Sequence, residues 1–199
     1  KIILDGMGGD NAPFSVVEGA VLASRETQHH ICIIGQEELI IPELKKYKYE
    51  SEKISVINAT QVISNDDAPV RAVRSKKDSS IVKGINMVKN GEGDIFISAG
   101  STGALLAGGL FILGRIQGID RPALASVYPI VGGIPSLLVD AGANADCKPN
   151  NLLEFGIMGN IYMEKVIGRK DPKVGLVNIG AEAAKGSTLT KAAYDLLEQ

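Results

Sequence analysis

Short apolar runs alternate with longer segments of helical periodicity along almost the whole chain. The runs have the length of buried strands, and they are Lys1–Asp5, His30–Gly35, Ile54–Asn58, Asp94–Ser98, Leu124–Val131, Leu137–Asp140 and Lys173–Asn178. Helices are predicted after Pro13 to about Thr27, over Gln36–Lys46, over Val70–Asn90 with an interruption near Asp78 and Ser79, and over Ser101–Arg115, Asn150–Ile167 and Ser187–Gln199. This alternation is typical of an α/β fold in which helices cover a largely parallel sheet.

One connection is too short for the parallel pattern. Five residues, Gly-Gly-Ile-Pro-Ser, separate Val131 from Leu137, whereas a parallel crossover needs a dozen or more. We therefore expect these two strands to pair antiparallel or to lie in different sheets, which predicts a mixed sheet. Since no linker, charge block or repeat marks a boundary, residues 1–199 are predicted to form a single α/β domain.

Composition excludes several classes of function. Of the 199 residues, 45% are hydrophobic and 22% charged, and the formal net charge of −2 argues against a nucleic-acid binder. Two cysteines cannot build a disulfide framework, so a reducing compartment is expected. The sequence shows neither a signal segment nor an apolar run of membrane-spanning length, which predicts a cytoplasmic protein.

Glycine is unusually frequent, at 23 of 199 residues, and many glycines follow predicted strands in polar loops. The loops are Asp5–Asn11, Ser98–Gly103, Asp140–Asp146 and Asn178–Ser187. Ligands of open α/β sheets bind at the carboxyl ends of strands, and backbone N–H groups at a helix start favour an anion. The loop that ends at Gly103 is the best candidate for phosphate, because Ser101 and Thr102 add hydroxyl donors. Packing explains any one such loop, but four together favour a binding edge.

Several polar side chains near these loops are further candidates. Arg71 and Arg74 share one face of a predicted helix and could hold a phosphate or an acidic partner. Lys185 lies in a glycine-flanked loop, which makes it a ligand candidate. Capping and turn formation explain three acidic residues as well as Mg²⁺ binding does, namely Asp10, Asp140 and Asp146. Asp10 or Asn11, with Pro13, is also predicted to start the first helix with a capping side chain.

Taken in order, six stretches of the chain resemble the PlsX family, the bacterial acyl-ACP:phosphate acyltransferases of phospholipid synthesis. They are LDGMGGDNAP (Leu4–Pro13), DDAPVRAVRSKKDSS (Asp66–Ser80), ISAGSTGAL (Ile97–Leu105), GRIQGIDRPALA (Gly114–Ala125), LLVDAGANADCKP (Leu137–Pro149) and VGLVNIGAEAAKG (Val174–Gly186). The sequence departs from the family pattern at Gly6, Ser101, Ala141 and Ala181. It resembles the first two thirds or so of a family member.

The resemblance implies an isocitrate/isopropylmalate dehydrogenase-like fold, which phosphotransacetylases share. It implies transfer of a fatty acyl group from acyl-[acyl-carrier protein] to inorganic phosphate, without a metal or other cofactor. The implied partners are acyl-carrier protein, phosphate and a second copy in a homodimer, with peripheral contact to the membrane and to the glycerol-3-phosphate acyltransferase, and no nucleic acid. Two alternatives stay open: a phosphotransacetylase-like enzyme that uses acyl-CoA, and a non-catalytic scaffold that binds carrier protein.

The expected mechanism is direct attack of phosphate on the thioester, and each loop receives a role in it. The predicted catalytic residues are Lys185, Asn144, Asn178 and Asp10. The predicted phosphate-binding residues are Ser98, Gly100, Ser101, Thr102, Gly103, Arg71 and Arg74. The remaining predicted loop residues at the substrate are Asp5, Gly8, Gly9, Asn11, Asp140, Gly142, Gly180 and Glu182.

Overall fold

A computed structural model of the chain describes residues 1–182 and 184–198. The chain divides into two units, Lys1–Gly114 and Arg115–Gln199. The single domain expected from the sequence stays a prediction. The first unit contains β1 (Ile2–Asp5), α1 (Phe14–Glu26), β2 (Ile31–Gly35), α2 (Glu37–Leu44), β3 (Ile54–Asn58), α3 (Pro69–Ser75), α4 (Ser80–Lys89), β4 (Ile95–Ile97), α5 (Thr102–Gly108) and a π-helical turn (Gly109–Leu113). The second unit contains β5 (Ala125–Tyr128), β6 (Ser136–Val139), α6 (Pro149–Lys165) and α7 (Thr188–Leu197).

The first unit is a parallel sheet flanked by helices, which confirms the predicted α/β class. Its strand order is β3-β2-β1-β4, and every neighbouring pair runs parallel. Ile2 of β1 lies beside Ile31 of β2 on one side and Ile95 of β4 on the other. The carboxyl ends of all four strands therefore lie along one edge of this sheet.

The core of this unit forms around β2, in which all five residues are buried. Ile31 and Ile33 pack with residues of α1 and α2 on one face of the sheet. Cys32 and Ile34 pack with Met87 of α4 on the other face, as the two-residue period of a strand requires. Burying one such isoleucine stabilises the fold by about 1.5–3 kcal/mol. A strand covered on both faces explains why the sequence reads as a continuous apolar run.

The helical segment predicted over Val70–Asn90 is interrupted where the sequence predicts it. Ser79 lies at the N-cap of α4, and its hydroxyl oxygen accepts a hydrogen bond from the N–H of Val82 at 3.4 Å. This bond satisfies one of the N–H groups that the first turn of a helix leaves open. The pattern of serine before an apolar segment is therefore a genuine helix start.

The helix predicted over Ser101–Arg115 is α5 continued by the π-helical turn. The Ser101 hydroxyl caps it by accepting from the N–H of Ala104 at 3.3 Å. Gly114 ends it with a φ of 97°, a left-handed conformation that glycine adopts without a Cβ penalty. Gly108 has a packing role, because a Cβ atom there would overlap the side chain of Ile85 in α4.

The second unit contains the antiparallel pair that the short link predicts. Ala125 lies opposite Val139, and Tyr128 lies opposite Ser136. β5 and β6 form a sheet of their own, so parallel and antiparallel pairing occur in two separate sheets. α6 packs against β6 and α7. Among the described residues, no helix has both the length and the hydropathy needed to cross a membrane.

The strand predicted over Lys173–Asn178 is wrong, since the described residues 173–178 form no strand. The apolar stretch 174–177 instead lines a cavity beside β6, α6 and α7. A strand needs a hydrogen-bonded neighbour, and this run instead leaves Val174 52% and Val177 79% exposed. Periodicity cannot distinguish these two outcomes.

The predicted capping side chain at the first helix is also wrong. α1 begins at Phe14 with Pro13 at the N-cap, and within the described part of the chain no side chain caps it. The N–H groups of Ser15 and Val17 donate instead to the carbonyl oxygens of Asn11 and Pro13, at 3.1 and 2.9 Å. Backbone carbonyls in the preceding turn thus replace the expected cap.

Candidate functional site

The strand order reverses between β1 and β4. From β1 the chain moves outward through β2 and β3 and then returns to place β4 on the other side of β1. The loops after two such neighbours lead away in different directions, and the crevice between them is where open α/β sheets bind ligands. The loops that begin at Asp5 and Ser98 follow these two strands. The fold therefore brings two of the four predicted loops together.

A hydrogen-bonded pair joins these two loops. The Ser98 hydroxyl donates to Asp5 Oδ2 at 2.6 Å, and the Ser98 oxygen accepts from the N–H of Gly100 at 3.0 Å. The other carboxylate oxygen of Asp5 accepts from the N–H of Met7 at 3.0 Å. Asp5 is only 1% exposed. We call the hydrogen-bonded pair Asp5 and Ser98 the clasp, because it joins the two loops while the Asp5 side chain stays buried.

Two glycines let the loops touch directly. A Cβ atom at Gly8 would lie 2.7 Å from the backbone nitrogen of Gly100 and 2.6 Å from Asp5 Oδ2. A Cβ atom at Gly100 would lie 3.3 Å from the Cα atom of Gly8. Gly9 has a φ of +103° and contacts Ala99. Side chains are thus excluded at Gly8 and Gly100, where backbone groups of the two loops meet directly.

These loops present backbone donors without acceptors. Within the described residues, the N–H groups of Gly8, Gly9, Thr102 and Gly103 make no hydrogen bond. An oxyanion is the ligand that such a group of N–H donors suits best. Asp10 and Asn11 have exposed side chains at the far end of the first loop. Ser101 is buried by its capping role, whereas Thr102 is exposed.

The predicted arginines lie on α3, next to this junction. Pro69 at the start of α3 packs so closely on Gly103 that a Cβ atom there would lie 2.7 Å from Pro69 Cγ. Arg71 and Arg74 are exposed. The guanidinium of Arg74 lies over the ring of Phe111, 5.4 Å from its centroid. The fold therefore places the two arginines and the phosphate-loop candidate in one region of the first unit.

The third predicted loop lies in the second unit, where Asp140 organises it. Its carboxylate accepts from the N–H groups of Leu124, Ala143 and Asn144 at 2.7, 3.2 and 2.8 Å. Partial burial raises the pKa of Asp140, but these hydrogen bonds outweigh it and hold the pKa below its usual range. The Asn144 amide donates to Asp140 and to the carbonyl oxygen of Pro122. The Asn144 amide group is thus engaged within the second unit, by its own loop and by the segment before β5.

A cavity of about 480 Å³ borders this loop. Asp140, Gly142 and Asn144 lie on its polar side, and Phe155 and Leu176 are among its apolar lining residues. A cavity of this size falls in the range of small-molecule sites.

The fourth predicted loop forms a separate turn of the second unit. The N–H of Lys185 donates to the carbonyl oxygen of Glu182 at 2.8 Å, and the Asn178 amide lies 3.5 Å from the carbonyl oxygen of Lys185. A Cβ atom at Gly180 would meet the side chains of Glu182 and Lys185. Glu182 and Lys185 are exposed. The four predicted residues Asn178, Gly180, Glu182 and Lys185 are therefore neighbours, and their roles stay predictions.

Sequence reasoning missed two contributors to the region around Gly103. Pro69 lies outside the helix predicted over Val70–Asn90, and its contact with Gly103 depends on how α3 packs against α5. Phe111 lies 37 positions after Arg74, so no local spacing connects them. The clasp residues were each predicted, but their pairing depends on β1 and β4 being neighbours.

The fold and this junction define an α/β protein whose glycine loops present open backbone N–H groups, within the described residues, at the carboxyl edge of a parallel sheet. Comparison with known families gives a match over residues 1–199 to the family described as "Fatty acid synthesis protein". The chain belongs to this family, the PlsX family, as the six resembling stretches predict.

Curated relatives agree with this assignment. The chain is 59% identical over 199 residues to a phosphate acyltransferase of Alkaliphilus oremlandii. It is 53% identical to that of Clostridioides difficile and 55% identical to that of Clostridium tetani, over 199 residues each. All of the chain is covered in these three comparisons, but only 58–59% of each relative. The chain thus spans about three fifths of the length of these relatives.

Proposed function

We propose that this chain takes part in moving a fatty acyl group from acyl-[acyl-carrier protein] to inorganic phosphate, which gives acyl phosphate for phospholipid synthesis. The observation that carries the proposal is the junction of two glycine loops with open N–H groups at the β1–β4 reversal. The name shared by the relatives, phosphate acyltransferase, supports phosphate as the acceptor. The carrier-protein donor, the homodimer, the cytoplasmic location and the membrane contact rest on the family resemblance.

The chemistry needs positioning more than a strong acid or base. An oxygen of phosphate attacks the thioester carbonyl carbon and forms the C–O bond. The C–S bond breaks, its electron pair leaves on sulfur, and the resulting thiolate takes up the proton that phosphate releases. Phosphate is already an anion at neutral pH, and a thiol with a pKa of about 8.5 gives a good leaving group. Orientation and stabilisation of the oxyanion at the carbonyl therefore supply the rate.

The loops of the first unit divide these tasks in our proposal. The loop from Ser98 to Gly103 holds phosphate through its N–H groups and the Thr102 hydroxyl. The N–H groups of Gly8 and Gly9 face the thioester carbonyl. A carboxylate beside phosphate would repel it, and the hydrogen bonds that Asp5 accepts from the Ser98 hydroxyl and from the N–H of Met7 offset part of its charge. The clasp thus holds the two loops together, and Asp5 and Ser98 stay candidates for contact with the substrates.

The loops of the second unit keep their predicted roles as part of the proposal. Lys185 is exposed and supplies a cation suited to phosphate, and Asn178 lies beside it. Asn144 acts through its side-chain oxygen, since its amide hydrogens are engaged. Asp10 stays a candidate because its carboxylate is exposed.

The test is phosphate-dependent loss of palmitoyl-ACP, measured with this chain and with the full-length Alkaliphilus oremlandii relative. Palmitoyl-CoA serves as the second donor. Acyl phosphate formed from palmitoyl-ACP supports the proposal, and a preference for palmitoyl-CoA replaces it with the phosphotransacetylase-like alternative. If neither chain turns over either donor while both bind carrier protein, the proposal fails and the scaffold alternative holds.

A glycine pair tests the assignment of the phosphate loop. Gly100→Ala places a methyl group 3.2 Å from Ser98 Oγ, whereas Gly109→Ala meets no atom within 4 Å among the described residues. We expect the first variant to raise the KM for phosphate at least tenfold and the second to leave it within twofold. An equal effect of both variants would refute the assignment.

A further inference from the structure

The outer face of α3 combines positive charge with exposed apolar surface. Val70 is 44% exposed and lies beside the exposed side chains of Arg71 and Arg74. Phe111, which is 51% exposed, extends the apolar area. A groove of about 580 Å³ runs along this face, lined by Ala68, Pro69, Val70, Arg71, Arg74 and Ser75. We call this area, with Phe111, the α3 surface.

Among the residues that the structure describes, the arginines of this surface have no acidic partner, unlike neighbouring lysines. Lys76 pairs with Asp67 at 2.6 Å, and Lys83 pairs with Asp78 at 2.5 Å. Within the described residues, the Arg71 guanidinium makes no hydrogen bond or ion pair, and that of Arg74 contacts only the Phe111 ring. The ring orients the Arg74 guanidinium and leaves its N–H edge open to a carboxylate. The first unit therefore neutralises these lysines and leaves the arginines available.

The shape of this surface suits a protein better than a phosphate ion. A bound phosphate is typically enclosed by N–H donors, as the loop at Gly103 offers. The α3 surface is instead an open helix face where arginines flank Val70, and arginine and aromatic residues are enriched in protein interfaces. Two unpaired guanidinium groups would complement an acidic partner and speed its association.

We propose that the α3 surface is the docking site for the acidic face of acyl-carrier protein, an inference that rests on the proposed function. Arg71 and Arg74 pair with carboxylates of the carrier, and Val70 and Phe111 contact its apolar side chains. Docking here brings the thioester to the phosphate loop, because Pro69 at the start of α3 packs on Gly103. Phosphate itself is held by the loop and not by the arginines.

The experiment compares two charge-reversed double variants that change the net charge equally. The test variant is Arg71→Glu with Arg74→Glu. The control is Lys45→Glu with Lys89→Glu, two exposed lysines at the C-cap of α2 and at the last residue of α4, for which the described residues offer no ion-pair partner. Steady-state kinetics with palmitoyl-ACP and phosphate are measured for both at two salt concentrations, and circular dichroism verifies the fold. Arg71→Gln with Arg74→Gln replaces the test variant if charge reversal prevents folding.

We expect the test variant to raise the KM for palmitoyl-ACP at least tenfold. The factor by which it raises the KM for phosphate should be at least five times smaller. The control should stay within twofold on both. The effect should shrink in high salt, because screening weakens exposed charge pairs. A rise in the KM for phosphate with an unchanged KM for palmitoyl-ACP would overturn the proposal and assign the arginines to phosphate.

Binding without turnover separates this inference from the proposed function. Carrier protein is titrated calorimetrically into the unmodified chain and into both variants, with no phosphate present. Loss of at least tenfold in affinity only in the test variant supports the docking site even if no acyl phosphate forms. Equal affinity for all three chains overturns the docking site even if acyl phosphate does form.

Discussion

Replacing Gly8 by alanine tests whether the loops after β1 and β4 lie so close together that no Cβ atom fits between them. The new Cβ atom would lie 2.6 Å from Asp5 Oδ2 and 2.7 Å from the Gly100 nitrogen, well inside the 3.5–4.0 Å or so of an optimal contact. Neither neighbour can rotate away easily, because Asp5 is buried and clasped and the nitrogen belongs to the backbone. The loops must therefore part.

The expected cost follows from two opposing effects. Overpacking a tight site costs about 1–3 kcal/mol, and the stiffer unfolded chain of an alanine variant returns about 0.4–1 kcal/mol. We expect the free energy of unfolding to fall by about 1–2 kcal/mol, which lowers the Tm by roughly 2–8 °C for a chain of this size. If the clasp breaks as well, the loss is larger, since hydrogen bonds to charged groups contribute about 1.5–3 kcal/mol.

The assay is urea denaturation followed by circular dichroism, with hydrogen exchange of β1 to locate the effect in the first unit. The matched control is Gly19→Ala in the middle of α1, where a Cβ atom meets nothing within 4 Å among the described residues. Alanine should stabilise that helix by about 0.5–1 kcal/mol. A Gly8→Ala chain as stable as the original, beside a stabilised Gly19→Ala chain, would refute the close approach of the loops.

Three further predictions concern stability. Gly84→Ala puts a Cβ atom 2.5 Å from Phe96 Cδ2 and should lower the free energy of unfolding in urea by about 1–3 kcal/mol. Adding Phe96→Leu should recover part of that loss, and losses that simply add in the double variant would contradict the contact. Hydrogen bonds from Lys83 and Thr60 hold the pKa of Asp78 well below its usual range, so the stabilisation by this carboxylate is present above about pH 4 and is lost on acidification. The Asp78→Asn chain should therefore have a lower free energy of unfolding than the original at neutral pH. A difference between the two chains that does not close between about pH 5 and pH 2 would argue against this role. Phe155 is 1% exposed, and Phe155→Ala should lose about 3–5 kcal/mol by urea denaturation, with a loss below about 1 kcal/mol indicating an unfilled core.

The sequence predicts the elements of the first unit well because their apolar patterns match the burial of their side chains in the fold. The run at Ile31–Gly35 is apolar throughout, since helices cover both faces of that strand. The same kind of run at Val174–Val177 gives no strand. Val174 and Val177 are 52% and 79% exposed, so an apolar pattern alone establishes neither burial nor strand pairing, and both depend on distant parts of the chain.

The candidate site was predictable in its parts and not in its assembly. Glycine loops after strands identify Gly8 and Gly100 as close-approach positions. Their contact, like the clasp, joins residues about 93 positions apart and depends on β4 returning to the side of β1. Strand order is set by packing of the whole sheet, so no local spacing reports it.

The return of β4 to the side of β1 affects the order in which the strands that form the crevice associate and detach. Pairing Ile2 with Ile31 closes a loop of 29 residues, whereas pairing Ile2 with Ile95 closes one of 93. The longer closure costs about 1 kcal/mol more in chain entropy, and β4 offers only three residues at the margin of the sheet to repay it. We expect β1, β2 and β3 to associate first and β4 to detach first under mild denaturant, which hydrogen exchange of the β4 amides would show. If the crevice binds phosphate as proposed, that binding would then be lost before the hydrophobic core opens, so a binding assay would report damage to this protein earlier than a measurement of its overall fold.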